Sequence, residues 1–215
     1  RHLVCGDLAV GFAMYGNGGM NTDYDKNPYA RFGSTGKSYM NFEQLFISPA
    51  VAWEFSPGQT IGLALNLAYQ RFEAKGLSAF APFSAHPANL EHNDTDDGFG
   101  AGVRIGWLGK ITDRLTLGAS WQSTTWMQEF DKYAGLFAEQ GGFDIPENYV
   151  LGAAFELGDA TTLALDWQTI KYNDVASVGN KLDQLFLGNP LGSDNGPGFG
   201  WRDMSTLKLA VLHQL

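Results

Sequence analysis

Charged residues, cysteine and long apolar runs are all scarce in this sequence, and each scarcity excludes a class of protein. Only 17% of its 215 residues are charged, whereas an ordinary soluble domain has about 25%. No run of about 18 apolar residues occurs, which excludes a transmembrane helix. The single cysteine, Cys5, cannot form an intramolecular disulfide, and we interpret it as a small apolar residue near a strand end rather than a reactive thiol. The net charge of −9 argues against nucleic acid as a partner.

Period-two alternation of apolar residues is the strongest pattern in the chain. Within Thr60–Gln70, Leu63 and Leu65 fall on one face of an extended segment, and Gly62 and Ala64 on the other, because successive side chains of a strand point to opposite faces. The length of this segment, 11 residues, matches a tilted strand that spans a membrane. The same alternation predicts eight strands: Asp7–Tyr15, Gln44–Phe55, Thr60–Gln70, Phe99–Leu108, Leu115–Gln122, Asn148–Leu157, Thr162–Tyr172 and Ser205–Gln214.

The two faces of these predicted strands favour a membrane barrel over a soluble sandwich. The less apolar face is rich in glycine, alanine, serine and threonine, whereas a solvated face would carry lysine and glutamate. Aromatic residues of the apolar face, such as Trp53, Tyr69 and Trp167, lie toward strand ends, as in the aromatic girdles of outer-membrane barrels. We therefore predict that the rows containing Val51 and Leu63 face lipid and that the glycine rows face the lumen.

Connections between the predicted strands alternate between short and long. Short turns are predicted at residues 56–59, 112–114 and 158–160. Long loops are predicted at Gly16–Glu43, Phe72–Gly98, Ser123–Glu147 and Asn173–Met204. Short periplasmic turns with long external loops are typical of outer-membrane proteins. The sequence thus predicts an all-β protein, an antiparallel transmembrane β-barrel located in the outer membrane of a bacterium.

Five segments carry motifs that resemble a known family. They are Tyr15–Tyr24 (YGNGGMNTDY), Ala68–Phe72 (AYQRF), Phe137–Gly152 (FAEQGGFDIPENYVLG), Asp166–Asn180 (DWQTIKYNDVASVGN) and Asn189–Asp203 (NPLGSDNGPGFGWRD). Their most specific pieces are the Pro146-Glu147 start of a strand and the GFGW sequence. Together they resemble the outer-membrane long-chain fatty acid transporter family (FadL-like), which includes importers of aromatic hydrocarbons. The resemblance runs through nearly the whole chain.

The resemblance implies a fourteen-stranded barrel whose lumen is plugged by an N-terminal hatch. It also implies that a hydrophobic ligand lands on the outer loops, moves into an apolar pocket and leaves sideways through a gap in the barrel wall. The hatch segment and several strands are missing from this chain. We therefore interpret residues 1–215 as a single, incomplete barrel domain, an arc of about eight strands of a larger barrel.

Apolar side chains occur in the predicted outer loops, where solvated loops would be polar. Exposed apolar clusters usually mark binding sites, so we predict a site that captures the hydrophobic ligand. The alternative is that these loops fold over one another and cap the barrel. The predicted capture residues are Leu77, Phe80, Phe83, Leu136 and Phe137.

Two basic residues are candidates for binding the carboxylate of a fatty acid. Arg104 lies on the glycine-rich face of its predicted strand, and Lys208 has the same parity in the last strand. A guanidinium can bind a carboxylate bidentately. The alternative for Arg104 is a salt bridge inside the lumen with Glu54, Glu156 or Asp166.

Pro49 lies inside a predicted strand, where it cannot donate a hydrogen bond to a neighbouring strand. It therefore predicts a bulge, an edge or a local gap in the wall, and a gap is what lateral exit of a ligand requires. The alternative is a bulge without a role in transport.

Neither a metal site nor a catalytic site is predicted. The acidic residues of one loop lack the spacing of a calcium-binding loop, and we interpret them as a solvated surface near cation-bridged lipopolysaccharide; they are Glu91, Asp94, Asp96 and Asp97. No histidine lies in a nucleophile motif, so we predict no enzyme activity and no cofactor. The histidines are His2, His86, His92 and His213.

These observations predict passive transport of hydrophobic small molecules across the outer membrane, with long-chain fatty acids favoured over aromatic hydrocarbons. Other expected partners are outer-membrane lipid, lipopolysaccharide and, in vitro, detergent. Two alternatives stay open: a structural or adhesive barrel without transport, and a soluble lipid-binding β-barrel. The soluble alternative requires the apolar rows to lie inside and the polar rows outside.

Overall fold

The computed structural model describes the backbone of residues 2–91 and 93–214 and the side chains of residues 6–91 and 93–214. None of the helical turns in this part of the chain is long and apolar enough to cross a bilayer. Cys5 ends the first strand, but its side chain, like the whole of His92, lies outside the described residues. The strands are β1 (His2–Cys5), β2 (Leu8–Tyr24), β3 (Ser38–Ser56), β4 (Gln59–Lys75), β5 (Asp96–Lys110), β6 (Leu115–Gln122), β7 (Trp126–Met127), β8 (Asn148–Leu157), β9 (Thr161–Ile170) and β10 (Met204–His213).

The strands form one continuous sheet, and every pair of neighbouring strands is antiparallel. They follow chain order from β1 to β10, except that the two-residue β7 pairs with β5. The turns that join β3 to β4, β5 to β6 and β8 to β9 lie at one end of the sheet, and the long loops lie at the other. The predicted fold class, an arc of antiparallel strands from a barrel wall, is confirmed.

The apolar row of each long strand faces outward. On β4, the side chain of Leu63 is 50% exposed and that of Leu65 is 44% exposed. Leu63 pairs with Val51 of β3 on one side and with Ile105 of β5 on the other, so an apolar band runs from strand to strand. This orientation is the one predicted for a barrel in lipid. It excludes the soluble β-barrel, which requires the same rows inside.

The outward face changes from apolar to charged at the level of Tyr69, whose ring lies 5.2 Å from that of Phe99, centroid to centroid. Beyond Tyr69, β4 presents Arg71, which forms an ion pair of 3.9 Å with Glu43 of β3. Tyr69 pairs with Leu45, and the apolar stretch of β3 from Leu45 to Trp53 contains nine residues. A membrane-spanning strand has about 9–11 residues, so the charged level marks the outer limit of the band in contact with lipid.

At the same level the inward face changes from small residues to large apolar ones. Toward the turns it carries small residues such as Gly62. Toward the loops it carries Phe42, Phe46 and Phe72, whose side chains are exposed by 4%, 0% and 1%. The strands therefore leave the membrane and continue as one layer of a packed structure, in which the apolar side is the inner side.

Two strands extend much further than predicted. The predicted loop Gly16–Glu43 is largely a hairpin, because β2 and β3 stay paired up to Tyr24 and Ser38. Asn17 is an extra residue of β2, since the register shifts there, which makes it a β-bulge. Glycine and asparagine are depleted in strands, so the GNGGMNTDY sequence indicates a loop when it is considered alone. The short strands β1 and β7 were not predicted either.

Pro49 interrupts the pairing of β3 with β4 without shifting the register. The alignment is the same on both sides of it, at Ile47↔Leu67 and at Ala50↔Ala64. Of the bulge, edge or local gap that proline predicts, the structure has a short gap in pairing with β4 and no inserted residue, because proline has no N–H to donate. A role of this gap in ligand exit stays a prediction.

Candidate functional site

The long loops fold over the lumen and pack into an aromatic cluster, which we call the roof core. The ring of Phe72 on β4 lies 4.7 Å from those of both Tyr133 and Phe137, centroid to centroid. Both pairs meet edge to face, an arrangement that aromatic rings prefer. The roof core consists of Phe42, Phe72, Ala74, Phe130, Tyr133, Phe137, Phe143, Val175 and Val178. It covers the end of the lumen that lies beneath the loops.

Tyr133 joins the roof core to the strand below it. Its hydroxyl donates a hydrogen bond of 2.8 Å to the carbonyl oxygen of Asp94 and accepts one of 3.0 Å from the backbone N–H of Ala74. Burial raises the pKa of Tyr133 to about 12. The hydroxyl therefore keeps its proton, and with it the hydrogen bond to Asp94, even in alkaline solution where an exposed tyrosine begins to ionise.

Replacing Tyr133 by phenylalanine should loosen the roof core without disturbing its packing. We expect Tyr133→Phe to destabilise the closed loops by about 1–3 kcal/mol, because the buried N–H of Ala74 loses its acceptor. Limited proteolysis of the complete protein in detergent measures this as faster cleavage within the loops. Tyr24→Phe, at a side chain that is largely exposed, is the control. Equal cleavage of Tyr133→Phe and the unsubstituted protein would contradict the assignment.

A cavity of about 350 Å³ borders the roof core at Phe42, Phe143 and Val178. One part of its wall is aromatic: Phe143, Tyr172, Phe199 and Trp201. Another part is polar: Asn17, Gln44, Arg104, Gln122, Asp144, Asn148 and Gln168. Ligand sites commonly combine apolar walls with a few polar groups that fix orientation. This lining therefore fits a small molecule with an apolar body and one polar end.

Arg104 is held in this cavity by two neutral side chains. Its Nε donates to Oε1 of Gln122 at 3.1 Å, and its Nη2 donates to the hydroxyl oxygen of Tyr15 at 3.2 Å and also to Gln122. Within the described residues, no ion pair includes Arg104. The lumen salt bridge that the sequence left open is therefore not formed, and the guanidinium charge is met by neutral oxygens.

A left-handed turn at residues 138–142 leads into the cavity wall. Glu139 and Gln140 have φ values of 56° and 53°, a region that side chains other than glycine rarely adopt and that costs about 1–3 kcal/mol per residue. The turn is held by the fourth long loop. The backbone N–H groups of Glu139 and Gln140 donate to the carbonyl oxygens of Ser193 and Gly192, each at 3.1 Å.

Several carboxylates lie around this turn. Burial raises the pKa of Glu139, and the negative charges of Asp144, Asp194 and Glu129 raise it further. Burial also raises the pKa of Asp144, although its Oδ1 accepts a hydrogen bond of 2.7 Å from the backbone N–H of Met127. The contact between the third and fourth long loops therefore brings like charges together.

The predicted capture residues are mostly part of the loop packing. Phe137 belongs to the roof core, and Leu77 and Leu136 pack against it. Phe80 is partly buried, whereas Phe83 is 55% exposed. Three of the five therefore contribute to the cap over the barrel in this structure, Phe80 packs against Tyr29, and Phe83 is open to solvent. Their role in ligand capture stays a prediction.

Lys208 lies outside the cavity, although its neighbour lines it. Its Nζ donates to Oε1 of Gln168 at 3.2 Å, and Gln168 is a cavity residue. Lys208 is exposed and is aligned with Asp166 on β9. The structure thus keeps the two predicted carboxylate-binding residues apart, with Arg104 alone in the cavity wall.

The described residues hold no group of three or more histidine, cysteine, aspartate or glutamate side chains suited to a metal ion. His86 lies in an outer loop, and His213 lies at the turn end of β10, where its Nδ1 is 2.9 Å from Oγ1 of Thr161. These two histidines therefore stand at opposite ends of the sheet.

Several cavity residues were not singled out from the sequence. Phe199 and Trp201 belong to the GFGW motif, so the motif had marked the right segment without indicating its role. Tyr15 and Gln122 are 89 and 18 residues away from Arg104 in the chain. No local pattern indicates that three side chains so far apart in sequence converge.

Comparison with known sequences shows the family to which the chain belongs. The sequence model of the family described as "Outer membrane protein transport protein (OMPP1/FadL/TodX)" matches residues 2–154, more than half of the chain. The chain belongs to this family. The resemblance predicted from the loop motifs is confirmed, and so is the location in the bacterial outer membrane. The OMPP1/FadL/TodX family is described by transport and not by an enzyme activity.

Solved structures of low sequence identity share the fold of this OMPP1/FadL/TodX member. The toluene transporter TbuX of Ralstonia pickettii has a TM-score of 0.66 and 14% identity over 97% of this chain and 62% of its own. A FadL homologue of Pseudomonas aeruginosa has a TM-score of 0.69 and 16% identity over 97% and 54%. The CymD monoaromatic hydrocarbon channel has a TM-score of 0.64 and 13% identity over 98% and 62%. The chain thus spans less than two thirds of the length of these proteins. No curated protein matches it.

Proposed function

We propose that the complete protein provides a passive path for hydrophobic small molecules across the outer membrane, and that long-chain fatty acids are its ligands. The observation that carries this proposal is the cavity beneath the roof core, which is aromatic on one side and contains Arg104 on the other. Aromatic hydrocarbons are the second candidate, because two of the similar structures are a toluene transporter and a monoaromatic hydrocarbon channel.

The apolar wall of the cavity supplies most of the affinity in this proposal. Each methylene group that leaves water and is buried contributes about 0.8 kcal/mol, so a few buried methylene groups are enough to hold a fatty acid. A transport path must also release its ligand, which requires each site to bind only moderately. A small cavity that buries part of the chain meets both requirements.

Arg104 favours an acid over a plain hydrocarbon. Its charge is met by neutral groups, so a carboxylate that reaches it gains a charge-assisted hydrogen bond without displacing an ion pair. A hydrocarbon has no group that could use this charge. Asp144 lines the same cavity, and its raised pKa lowers the cost of protonating it when a second carboxylate arrives.

Uptake into liposomes tests both parts of the proposal. We expect the complete protein to speed the uptake of oleate, and Arg104→Gln to reduce that rate about tenfold, because hydrogen bonds to charged groups contribute about 1.5–3 kcal/mol. Toluene uptake should be unchanged in the same variant. Lys110→Gln removes the same charge at an exposed position near a turn and serves as the control.

The possible outcomes separate the candidates. Equal loss of oleate and toluene uptake in Arg104→Gln would argue for a structural role of Arg104 and against the carboxylate site. Toluene uptake without oleate uptake would favour the hydrocarbon. Rates equal to those of protein-free liposomes would refute transport and favour a structural barrel.

A further inference from the structure

We propose that the left-handed turn at residues 138–142 is a latch that keeps the roof closed over the cavity, and that its release opens the cavity to the outside. The inference rests on the proposed transport function, since a gate has a purpose only if a ligand passes. The latch is a different part of the molecule from the ligand-binding wall. The latch proposal can therefore be wrong even if the protein transports the ligand.

Backbone strain is concentrated at this turn. Among the described residues other than glycine, φ is positive only at Asp94, Glu139 and Gln140, and two of these three are adjacent in the turn. Such residues persist only where their surroundings impose the conformation, and they cluster at switch regions and binding sites. The turn is therefore a segment that gains by relaxing when its contacts are broken.

The fourth long loop supplies the contacts that impose the conformation. Besides the two backbone hydrogen bonds, Nε2 of Gln140 donates to the carbonyl oxygen of Gly192 at 3.0 Å and to Oδ1 of Asp194 at 2.8 Å. Gly192 has a φ of +82°, and a Cβ atom at this position would lie 2.2 Å from the carbonyl oxygen of Ala134. The fourth loop thus approaches the third loop this closely, just before the turn, only because residue 192 is glycine.

The turn is connected both to the roof core and to the cavity. The carbonyl oxygen of Gly141 accepts a hydrogen bond of 2.9 Å from the N–H of Phe130, a roof-core residue. The carbonyl oxygen of Gly142 accepts one of 2.5 Å from Oγ of Ser177. The next four residues, 143–146, all line the cavity. A change in the turn therefore moves part of the cavity wall.

Opposing contributions act on the latch. The hydrogen bonds to Gly192, Ser193 and Asp194 favour the closed state. Backbone strain opposes it, and so does repulsion between Glu139 and Asp194 across the contact between the two loops. A segment in which stabilising contacts act against strain and charge repulsion is suited to switching between two states.

A reversible cross-link tests the latch most directly. A backbone hydrogen bond joins Glu139 to Ser193, so their Cα atoms lie near the separation that a disulfide spans. In the complete protein with Cys5→Ser, we expect the pair Glu139→Cys and Ser193→Cys, once oxidised, to pass ligand at least about tenfold more slowly, since a closed gate removes the competent state. Reduction should restore the rate. Unchanged uptake in protein shown by gel shift to be cross-linked would overturn the proposal.

Two single variants should act in opposite directions. Glu139→Gly relieves strain and removes a repelling charge, so we expect uptake to slow about fivefold. Gly192→Ala forces the fourth loop away, so we expect faster opening. The effect of each variant is measured in a background that also carries Asn148→Cys, a cavity position. The measured quantity is the rate at which a water-soluble thiol reagent labels this cysteine. Labelling that does not change, or changes in the same direction in both, would overturn the latch.

This labelling does not require transport, so the two proposals can be distinguished. If the unsubstituted protein fails to carry oleate or toluene, the proposed function is wrong, and labelling still shows whether the turn controls access. If it carries ligand and neither the cross-link nor the two variants alter uptake or labelling, only the latch is wrong.

Discussion

Placing an arginine at Leu63 is expected to destabilise the folded barrel by about 2–4 kcal/mol, because a charge on the lipid face near the middle of the membrane loses its hydration. Leu63 lies in the outward band, half exposed, between Val51 and Ile105 on the neighbouring strands. Urea titration of the complete protein refolded into lipid vesicles measures the change in the free energy of unfolding.

The matched control places the same charge on the other face at nearly the same depth. Ala52 faces the lumen and is aligned with Gly62 of β4, which leaves room for a longer side chain. We expect Ala52→Arg to cost less than about 1 kcal/mol, because a charge in the lumen keeps its water. A larger cost for Ala52→Arg than for Leu63→Arg would mean that the assignment of the two faces is reversed.

Truncating Phe72 should open the roof while leaving the wall intact. Its ring contacts those of Phe42, Phe130, Tyr133 and Phe137, and its side chain is almost fully buried. Replacing a buried phenylalanine by alanine costs about 3–5 kcal/mol. We expect Phe72→Ala to make the loops much more sensitive to protease, while the strands within the membrane stay protected.

Phe186→Ala is the control for this experiment, because its ring lies in the fourth long loop and is 88% exposed. Its truncation removes no packing, so its cleavage pattern should match that of the unsubstituted protein. Loops of Phe72→Ala that resist protease as well as those of the control would show that the roof core does not hold them.

The barrel wall could be predicted from the sequence because one physical constraint acts on every strand. Lipid on one side and a narrow lumen on the other impose a period of two, and Leu63 and Leu65 repeat it with Gly62 and Ala64 between them. The same constraint fixed the bounds of β6 and β8, whose predicted and observed residues coincide.

The roof core could not be predicted in the same way. The period-two alternation continues beyond the membrane, but there the inner face packs into an apolar core and is no longer a row of small residues. Phe72 has the parity of the lumen face, so the pattern assigns it to a row of small residues. Its environment is decided by Phe130, Tyr133 and Phe137, which come from a loop about 60 residues away. Long-range packing of this kind leaves no period in the sequence, and it is also why the sequence could not decide whether the apolar loop residues capture a ligand or cap the barrel.

Of the candidate site, alternation along a strand predicts which face a residue lies on, but not which distant residues it contacts. The parity of Arg104 placed it in the lumen, which is correct, since a single strand determines which way it points. Its contact with Tyr15 depends on the curvature of the sheet from β2 to β5, which cannot be obtained from alternation alone.

The length of β2 has a consequence for the order of affinities that we expect across a series of ligands. A strand of 17 residues tilted by about 45° rises about 40 Å, whereas the apolar band of such a barrel is about 25 Å tall. Residues 17–20 of β2, which line the cavity, therefore stand beyond the apolar band, outside the bilayer. A molecule that binds there has left water and has not yet met hydrocarbon. The equilibrium constant of that step should follow aqueous solubility across a series of compounds, while partitioning into lipid governs only what happens afterwards.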